Sequence, residues 1–500
     1  MSREIIINAT PEENKVAIKN HGKLEEFYIE RQSGVHLVGS IYKGRVESIL
    51  PGIGGAFVNI GLEKNGFLYV DDIIEEGSPY SDILEEEMGD SIRPKDRPRT
   101  NVKVSDILKK GQELLVQVVK EPISTKGARL TAHITLPGRY LVFMAHDSRK
   151  GISKKVKDVK ERKRIRSIID QWKLPKDIGV IVRTAAIGHS VDELKREMQY
   201  LYNVYRRAEK AASKKSAPAL IYEEHGLIQR IARDSLTEDT SGMVIDSKFE
   251  YKKTAALLKL VAPRLRGKLK FYKGHIPIFE KYQVAREIKK IYERRVQLPS
   301  KGYIVIEPTE SLVSIDVNTG SFSGKHPEET AFIVNKEAAV EIARQLRLRD
   351  MGGIIVIDFV DMEQKDHRNI VFRTLLTALK SDKARTRVLN FSSIGLVEMT
   401  RQRVRRSLES VSYQACPYCQ GRGIVKSPLT ISIEIIRELE GHLRGQRYKK
   451  VEIDAHSSIK NYLLEHYKNT FKQLGRRTRS HIMVNGIESL HVEEFKINVK

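Results

Sequence analysis

Two apolar runs that each lead into an aspartate constrain the fold of this chain more than any other feature. The first run spans residues 312–316 and ends on Asp316, and the second spans 352–359 and contains Asp358. Short β-branched runs bounded by glycine and turn residues are typical of buried strands. From 331 to 349, apolar residues recur at helical spacing, and the two glycines that follow indicate a helix end. The pattern predicts a strand, a helix and a second strand.

Two strands joined by a helix are most simply parallel neighbours, which places Asp316 and Asp358 at the same carboxyl edge of a sheet. Neighbouring strands lie about 4.8 Å apart. Carboxylates held this close repel each other unless a proton or a cation lies between them, and Mg²⁺ prefers such oxygen ligands. Asn318 adds an amide on the same strand face. The alternative is that each aspartate only caps a turn, but the shared edge favours a cation site.

Charge and composition indicate the partners of the chain. Its 500 residues are 40% hydrophobic, enough for several domains with real cores. The net charge of +24 points to a polyanion. Nucleic acid is favoured over a membrane because no apolar run approaches the length of a membrane span and no terminal anchor is visible. The N-terminus lacks the pattern of a signal peptide, which predicts a cytoplasmic protein.

Short β-rich segments with frequent glycine predict a small closed barrel from residue 38 onwards. Phe57 and Phe67 accompany Lys43 and Arg45 in this region. Ring faces on a basic surface bind single-stranded nucleic acid by stacking and by attraction of the backbone. The alternative is that both rings belong to the barrel core.

Segments before and within the barrel have simpler interpretations. Residues 1–35 alternate strand-like runs with turns and are too short for a domain, so we expect them to add strands to a core completed further along. A polar, strongly acidic insertion at 75–100 cannot bury much surface and is predicted to be a surface loop.

Two basic segments beyond the barrel are candidates for nucleic-acid contact. Arg183 and Thr184 follow an apolar strand, and an Arg fork beside a hydroxyl suits a terminal phosphate. Basic and aromatic residues interleave at 264–275, which indicates contact with RNA or DNA. Lysine and arginine stems lying over a helix face are the alternative explanation for the second segment.

Cys416 and Cys419 form a C-x-x-C pair in a glycine-rich turn and are the only two cysteines of the chain. Two cysteines exclude a disulfide framework. The pair has the form of half a tetrahedral zinc site. Two chains could each give one pair, which favours a shared ion at a symmetric dimer interface. The alternatives are a redox pair and a zinc site completed by distant histidines.

Several motifs together resemble the ribonuclease E/G family of endoribonucleases. They are the order of the parts, the Ile-Asp-Val-Asn sequence at 315–318, the Ile-Asp-Phe-Val-Asp-Met sequence at 357–362 and the Cys-Pro-Tyr-Cys sequence at 416–419. The resemblance runs from residue 8 to the C-terminus, and the chain is most similar to the shorter, ribonuclease G type of the family. A basic RNA-binding protein without activity is the rival class, but it has no need of two acidic residues in a basic groove.

The resemblance implies a function in some detail. It implies an Mg²⁺-dependent endoribonuclease that cleaves single-stranded RNA, leaves a 5′-phosphate and a 3′-hydroxyl, and is stimulated by a 5′-monophosphate end. The expected roles are rRNA and tRNA processing and mRNA decay. The expected assembly is a homodimer through a shared structural Zn²⁺, or a higher oligomer.

The resemblance also implies roles for particular residues of this chain. Asp316 and Asp358 would bind the catalytic Mg²⁺, and Asn318 would help to hold the site. The expected RNA contacts in the barrel are Phe57, Phe67 and Lys126; the expected 5′-phosphate pocket is Gly138, Val142, Arg183 and Thr184; and the expected zinc ligands are Cys416 and Cys419.

The fold class implied is multi-domain α/β with an OB-type β-barrel. The expected domains are a ribonuclease-H-like subdomain (1–35 with 225–291), the OB barrel (36–132, with the insertion at 75–100), a 5′-end sensor (133–224), a deoxyribonuclease-I-like catalytic subdomain (292–411), a CxxC zinc link (412–425) and a small C-terminal α+β domain (426–500).

Overall fold

The structure, a computed structural model, describes residues 3–31, 37–73, 104–122, 126–321, 324, 326–403, 408–444 and 448–500. The acidic insertion predicted at 75–100 lies outside the described residues. The chain divides into two compact units, Met1–Val411 and Ser412–Lys500. The architecture is mixed α/β, as predicted, with five sheets in the described residues.

The strands are numbered in chain order, and β1 to β21 belong to the first unit. In the described residues they are β1 (Arg3–Ala9), β2 (Glu13–Asn20), β3 (Lys23–Arg31), β4 (Ile41–Leu50), β5 (Gly55–Asn59), β6 (Gly66–Tyr69), β7 (Glu113–Lys120), β8 (Arg129–Thr131), β9 (Thr135–Pro137), β10 (Leu141–Ala145), β11 (Lys150–Ile152), β12 (Ile178–Val182), β13 (Ala219–Tyr222), β14 (Thr240–Ile245), β15 (Leu269–Phe271), β16 (Arg295–Gln297), β17 (Tyr303–Pro308), β18 (Leu312–Asn318), β19 (Gly353–Asp358), β20 (Thr386–Val388), β21 (Leu396–Arg401), β22 (Lys450–Ala455), β23 (His481–Gly486) and β24 (Phe495–Val499).

The helices range from single turns to 24 residues, and none that the structure describes has both the length and the apolar composition needed to cross a membrane. The described α-helices are α1 (Val104–Ile107), α2 (Val159–Asp170), α3 (Val191–Lys214), α4 (Leu227–Asp234), α5 (Lys248–Val261), α6 (Ile278–Lys281), α7 (Ala285–Lys290), α8 (Pro327–Arg349), α9 (Lys365–Leu379), α10 (Leu408–Ser412), α11 (Pro428–His442), α12 (Ser457–His466) and α13 (Lys468–Thr478).

A six-stranded sheet of order β16-β17-β18-β19-β21-β20 carries both aspartates. Strands β18 and β19 are parallel neighbours and α8 connects them, which confirms the predicted strand, helix and strand. Helix α8 begins at Pro327, earlier than the apolar pattern indicated, because proline suits the first helical position. It ends at Arg349, and the left-handed residue that follows is Asp350 (φ 49°) rather than one of the predicted glycines.

Alternating residues give this sheet one buried face and one open face. Val313, Ile315 and Val317 of β18 are buried, as are Ile355 and Ile357 of β19, and all five form one core with α8 and α9. Because successive side chains of a strand point to opposite faces, the residues between them lie on the other side. That side is exposed to solvent at Ser314, Asp316, Ile354 and Asp358.

Strands β4, β5, β6, β8 and β7 form a closed barrel, because β4 pairs with both β5 and β7. This closure confirms the barrel predicted from the glycine-rich strands. Gly55 permits a close approach between β5 and β6, since a Cβ at this position would lie 2.5 Å from a ring atom of Phe67. A larger residue at position 55 would therefore displace that ring.

The N-terminal strands complete a sheet with strands from the middle of the chain. Its order is β15-β14-β1-β2-β3, and β1 runs parallel to β14 with Ile5 opposite Met243. This confirms that residues 1–35 add strands to a core completed further along. A separate four-stranded sheet has the order β11-β12-β10-β9, and the second unit holds a sheet of order β23-β22-β24. The grouping of these sheets into named subdomains stays a prediction.

Candidate functional site

Asp316 and Asp358 lie opposite each other on neighbouring parallel strands, where they are the last pair in the register between β18 and β19. Both side chains are on the open face of the sheet and both are exposed. The apolar residues next to them, Val317 and Ile357, point into the core on the other face. Two carboxylates therefore share one solvent-facing edge, as the strand pattern predicted.

Asn318 lies on the same face as Asp316 and contacts it directly. Its Nδ2 donates a hydrogen bond of 2.6 Å to Oδ2 of Asp316. A hydrogen bond from a neutral amide fixes the rotation of the carboxylate without neutralising it. Asp316 is thereby held in one orientation.

The electrostatics of the pair favour a bound cation. Partial burial, the charge of Asp316 and the charge of Asp361 together raise the pKa of Asp358 above its usual value. No Lys or Arg that the structure describes forms an ion pair with any of these three carboxylates. A hard divalent cation would relieve this repulsion.

The donor set suits Mg²⁺ rather than a metal enclosed by protein ligands. Within the described ranges, no three His, Cys, Asp or Glu side chains converge closely enough to hold a metal ion. Mg²⁺ commonly binds through one or two carboxylates and takes its other ligands from water and substrate phosphate. Asp316 and Asp358 on an open face fit that mode of binding.

Asn335 supports the segment that follows Asp358. This residue is fully buried in α8, and its side chain donates to the Val360 carbonyl (2.8 Å) and accepts from the Val360 N–H (3.0 Å). A buried amide that satisfies both backbone groups of one residue holds that residue in place. Sequence reasoning missed this role, although a polar residue within the apolar stripe of α8 was a visible signal.

The barrel carries three aromatic rings in contact. The Phe57 and Phe67 centroids are 5.3 Å apart, and the Phe67 and Tyr69 centroids are 4.6 Å apart. Phe57 and Phe67 are half-buried rather than part of the barrel core, and Tyr69 is exposed. The guanidinium of Arg129 lies 5.1 Å from the centre of the Tyr69 ring. These four residues form an aromatic and basic surface, and sequence reasoning missed Tyr69 and Arg129.

Lys126 is exposed and lies three residues before the strand that contains Arg129. That strand, β8, pairs with β6, where Phe67 is opposite Arg129. Lys126 therefore belongs to the segment leading to the aromatic surface, with no ion pair to a described residue.

Arg183 bonds to Gly138, another residue predicted for the 5′-phosphate pocket, and to Asp234, which was not predicted. Its Nη1 donates to the Gly138 carbonyl (2.8 Å) and to Oδ1 of Asp234 (2.9 Å). Thr184 is half-buried and begins a short turn, whereas Val142 is buried in β10. Gly138, Arg183 and Thr184 are thus near one another at the ends of strands, and Val142 is buried opposite Pro137 in the register between β9 and β10.

Glu197 of α3 organises the loop that contains Gly138. Its buried carboxylate accepts hydrogen bonds from the backbone N–H groups of Arg139 (2.7 Å), Tyr140 (2.7 Å) and Leu141 (2.9 Å). Burial raises the pKa of Glu197 to about 7, against the opposing effect of these donors. A Cβ at position 138 would lie 2.7 Å from the carboxyl carbon of Glu197, so only glycine fits there.

A network of opposite charges surrounds Asp234. Arg233 is buried and donates to Oε1 of Glu224 (3.0 Å) and to Oδ2 of Asp234 (3.1 Å). Although burial opposes it, Arg233 and Arg183 hold the pKa of Asp234 below its usual value. Each carboxylate of this network faces at least one guanidinium, unlike Asp316 and Asp358.

The cysteine pair lies in the second unit, Ser412–Lys500. Sγ of Cys419 accepts a hydrogen bond of 3.2 Å from the Gly423 N–H. Backbone donors from Gly423 and Gly421 lower the pKa of the Cys419 thiol, and Cys416 is exposed. Backbone donors that stabilise a thiolate suit a metal ligand.

Comparison with known proteins agrees with this geometry. Residues 135–404 match the model of the ribonuclease E/G family, and residues 415–500 match the thioredoxin-like domain of ribonucleases E and G. The chain belongs to the ribonuclease E/G family. Members of this family are endoribonucleases, so this chain is an endoribonuclease as well.

Within the family, the chain is more similar to relatives of the ribonuclease G type. It is 41% identical to the Ribonuclease G of Salmonella typhimurium strain SL1344, over 88% of both proteins. It is 42% identical to the Ribonuclease G of Haemophilus influenzae, over 87% of both. The Ribonuclease E of Haemophilus influenzae is 36% identical over 99% of this chain and 52% of that protein.

One further feature beside the carboxylate pair was not visible in the sequence. The guanidinium of Arg295 lies 3.5 Å from the centre of the Tyr303 ring. Tyr303 is opposite Asn318 in the register between β17 and β18, on the open face of the sheet. A stacked Arg–Tyr pair beside the carboxylates depends on strand pairing, which residue spacing alone could not reveal.

Proposed function

We propose that this chain is an Mg²⁺-dependent endoribonuclease that cleaves single-stranded RNA, is stimulated by a 5′-monophosphate end, and acts in rRNA and tRNA processing and mRNA decay. The observation that carries the proposal is the register pair of Asp316 and Asp358 on an open sheet face, without a balancing cation among the described residues. Like charges held together in a chain of net charge +24 indicate a site for a cation.

Asp316 and Asp358 would hold the Mg²⁺. A bound Mg²⁺ neutralises the two carboxylates, polarises a phosphodiester and lowers the pKa of a nearby water. The residues of the chain supply the geometry: Asn318 fixes the rotation of Asp316, and Asn335 fixes the backbone beyond Asp358. The open face leaves room for an RNA strand to reach the pair. The expected products carry a 5′-phosphate and a 3′-hydroxyl.

The barrel would hold the RNA. An OB-type barrel binds single strands through stacked aromatic residues and basic side chains. Phe57, Phe67 and Lys126 are the proposed contacts, and Tyr69 extends the same surface. Stacking tolerates any base, because every base has a π-face. Affinity should fall steeply as salt increases.

Arg183, Thr184, Gly138 and Val142 would form the 5′-monophosphate pocket. Two acceptors, the Gly138 carbonyl and Asp234, orient the guanidinium of Arg183. A fixed guanidinium binds phosphate oxygens with defined geometry. The hydroxyl of Thr184 makes no hydrogen bond to any residue that the structure describes, which leaves it available to a phosphate. Val142 supports the pocket from the interior.

Cys416 and Cys419 would provide half of a tetrahedral Zn²⁺ site completed by a second copy of the chain. The lowered pKa of Cys419 and its backbone donors support a thiolate ligand. Zinc content and native mass test this proposal together: one Zn²⁺ per two chains is expected, and Cys416→Ser should yield monomers without zinc. A monomeric wild-type protein that binds no zinc would remove the proposed link.

The subdomain names follow the same family pattern. The sheet that joins β1 to β3 with β14 and β15 supports a ribonuclease-H-like subdomain from residues 1–35 and 225–291. The six-stranded sheet supports a deoxyribonuclease-I-like subdomain at 292–411. The remaining proposed parts are the OB barrel at 36–132, the 5′-end sensor at 133–224, the zinc link at 412–425 and the C-terminal domain at 426–500.

The deciding experiment follows cleavage of a labelled, 5′-monophosphorylated single-stranded oligonucleotide with and without Mg²⁺. The wild type should cleave only with Mg²⁺, and Asp358→Asn should lose nearly all cleavage although it still binds RNA. Glu398→Gln is a matched control, because Glu398 is an exposed carboxylate on the adjacent strand β21 of the same face. Undiminished cleavage by Asp358→Asn in Mg²⁺ would refute the assignment.

A further inference from the structure

A cleft on the first unit has no role in the proposed function. It lies between α3 and the segment that follows α2, and its volume is about 520 Å³. That volume falls within the range of small-molecule sites, roughly 300–1,000 Å³. The lining residues are Gln171, Trp172, Lys173, Leu174, Pro175, Lys195, Met198, Gln199 and Tyr202.

Helix α3 separates this cleft from the 5′-phosphate pocket. Lys195, Met198 and Tyr202 face the cleft at helical spacing. Tyr200, Leu201 and Val204 instead line a small space beside Gly138, on another side of the helix. The cleft is therefore a second site, distinct from the residues around Arg183.

The cleft combines a flat apolar surface with unpaired hydrogen-bond donors. Trp172 is buried, and its indole N–H has no acceptor among the described residues. The Tyr202 hydroxyl and the ammonium groups of Lys173 and Lys195 also make no hydrogen bond or ion pair with a described residue. The indole N–H lies in the wall of the cleft, where a missing acceptor is costly, and the Tyr202, Lys173 and Lys195 groups can be reached by a ligand in the cleft.

The chemistry of the lining defines the ligand. Tyr202 is half-buried, and together with the largely buried Trp172 and Met198 it gives the cleft an aromatic and polarisable lining, which favours a planar aromatic group. All the unpaired groups can donate hydrogen bonds, and the lining includes no Asp or Glu. A ligand with a planar ring, several acceptors and a negative charge satisfies both features, and a nucleotide has all three.

We propose that this cleft binds one unpaired nucleotide of an RNA substrate, with the base against Trp172 and Tyr202 and the phosphate between Lys173 and Lys195. The proposal rests on the proposed RNA substrate but not on the carboxylate pair. A nucleotide held here would anchor RNA independently of its 5′ end. The affinity of the protein for RNA that lacks a 5′-monophosphate would increase most, because such RNA cannot bind through its 5′ end.

Trp172 is the only tryptophan of the chain, so its fluorescence reports on the cleft directly. The experiment titrates the full-length protein with a short 5′-hydroxyl RNA oligonucleotide in buffer without divalent metal, which prevents cleavage. Saturable quenching is expected, because a base bound in the cleft lies against the wall that contains the indole of Trp172. Absence of quenching while anisotropy of the same labelled RNA shows binding would overturn the proposal.

Variants of the lining residues test whether the quenching comes from RNA bound in the cleft or from RNA bound elsewhere on the protein. Tyr202→Leu and Lys173→Ala/Lys195→Ala should each weaken the quenching affinity by about fivefold or more, the lower end of what one stacked base contributes. Lys210→Ala is the matched control, since Lys210 is an exposed lysine of α3 outside the cleft and should leave the curve unchanged. Quenching that responds to Phe67→Ala but to neither cleft variant would overturn the proposal. Unchanged circular dichroism verifies that each variant is folded.

A second titration distinguishes the source of the nucleotide. Adenosine monophosphate and uridine monophosphate are added in place of RNA, and weaker quenching than by the oligonucleotide is expected, because the rest of an RNA strand adds contacts. Quenching by a free monophosphate at equal or lower concentration would overturn RNA as the occupant. Repeating the RNA titration with Asp358→Asn separates this result from the cleavage proposal, since the cleft should bind equally well in that variant.

Discussion

Two clusters of charged side chains in the first unit differ in whether opposite charges of the protein balance them. Around Asp234, two guanidiniums face two carboxylates, and the most buried member, Arg233, bonds to both Glu224 and Asp234. Around Asp358, three carboxylates lie near one another without an ion pair to a described Lys or Arg. The first cluster is neutralised by the protein itself, and the second is not.

The difference in charge balance separates a cluster that stabilises the structure from a cluster that is suited to bind a cation. The network around Asp234 fixes Arg233 and Arg183 in place, and a network satisfied internally gives rigidity. The cluster around Asp358 is exposed, so water screens the repulsion until a cation arrives. Two properties should therefore differ between the clusters: the effect of a substitution on folding and the response to Mg²⁺.

The largest effect is expected on cleavage at the carboxylate pair. Asp316→Asn and Asp358→Asn should each lower the cleavage rate by about three orders of magnitude, because each removes a ligand of a cation that contributes several kcal/mol to the transition state. The double variant should be no worse than either single variant, since residues that act as a unit are not additive. Single-turnover rates measure this, and losses that multiply would mean that the two aspartates act separately.

The next largest effect is expected on stability at the balanced network. Arg233→Ala should lower the free energy of unfolding by about 3–5 kcal/mol, because it leaves the buried carboxylate of Glu224 without its ion-pair partner. The matched control is Arg206→Ala, which breaks an exposed pair with Glu209 (2.8 Å) and should change stability by less than about 1 kcal/mol. Chemical denaturation compares the two variants, and equal losses of stability would mean that the buried network stabilises the fold no more than an exposed ion pair does.

A smaller effect is expected on the preference for 5′-monophosphate RNA, at Arg183, where the proposed phosphate pocket meets the balanced network. Arg183→Ala should narrow the rate difference between 5′-monophosphate and 5′-triphosphate RNA by roughly tenfold, as expected when charge-assisted hydrogen bonds of about 1.5–3 kcal/mol are lost. Arg196→Ala, at an exposed arginine of α3, is the control. A ratio unchanged by Arg183→Ala would exclude Arg183 from end sensing.

The smallest effect is a change in the pH dependence of stability at the carboxylate pair. Because the folded-state pKa of Asp358 lies above the usual 3.8, ionisation of this group reduces stability as pH rises above that value. Without metal, Asp358→Asn should therefore raise the melting temperature slightly at neutral pH, and the gain should vanish near pH 4. Added Mg²⁺ should stabilise the wild type but not the variant.

The control for this measurement is again Glu398→Gln, which lies on the same open face and should show neither the gain nor the loss of the Mg²⁺ response. A melting temperature of Asp358→Asn that equals the wild type at neutral pH, with an unchanged response to Mg²⁺, would show that the carboxylates are not a cation site. The two clusters would then differ only in exposure.

Much of the carboxylate site could be predicted from the sequence because its parts are local. Apolar runs fixed the two strands, and the helical spacing from 331 to 349 fixed the crossover between them. A right-handed crossover permits few arrangements, so Asp316 and Asp358 had to reach one edge. Asn318 followed from strand alternation, since residues two apart share a face.

The supporting residues could not be predicted because their partners are distant in the chain. Glu197 accepts from the backbone near residue 140, and Asn335 bonds to Val360. The stacking of Arg295 on Tyr303 depends on the pairing of β16 with β17. These hydrogen bonds and this stacking contact do not follow the spacing of residues along the chain, so the pattern of the sequence does not predict them.

The sequence by itself determined the central strand, helix and strand, the closed barrel and the positions of the aspartates, because hydrophobic periodicity and glycine placement act over a few residues. Only the tertiary structure decided which carboxylates are balanced by arginine, which face of the six-stranded sheet stays open, and that Trp172 lies in a cleft beside α3. Charge balance and exposure are properties of surroundings, and these surroundings are assembled from segments that meet only when the chain has folded.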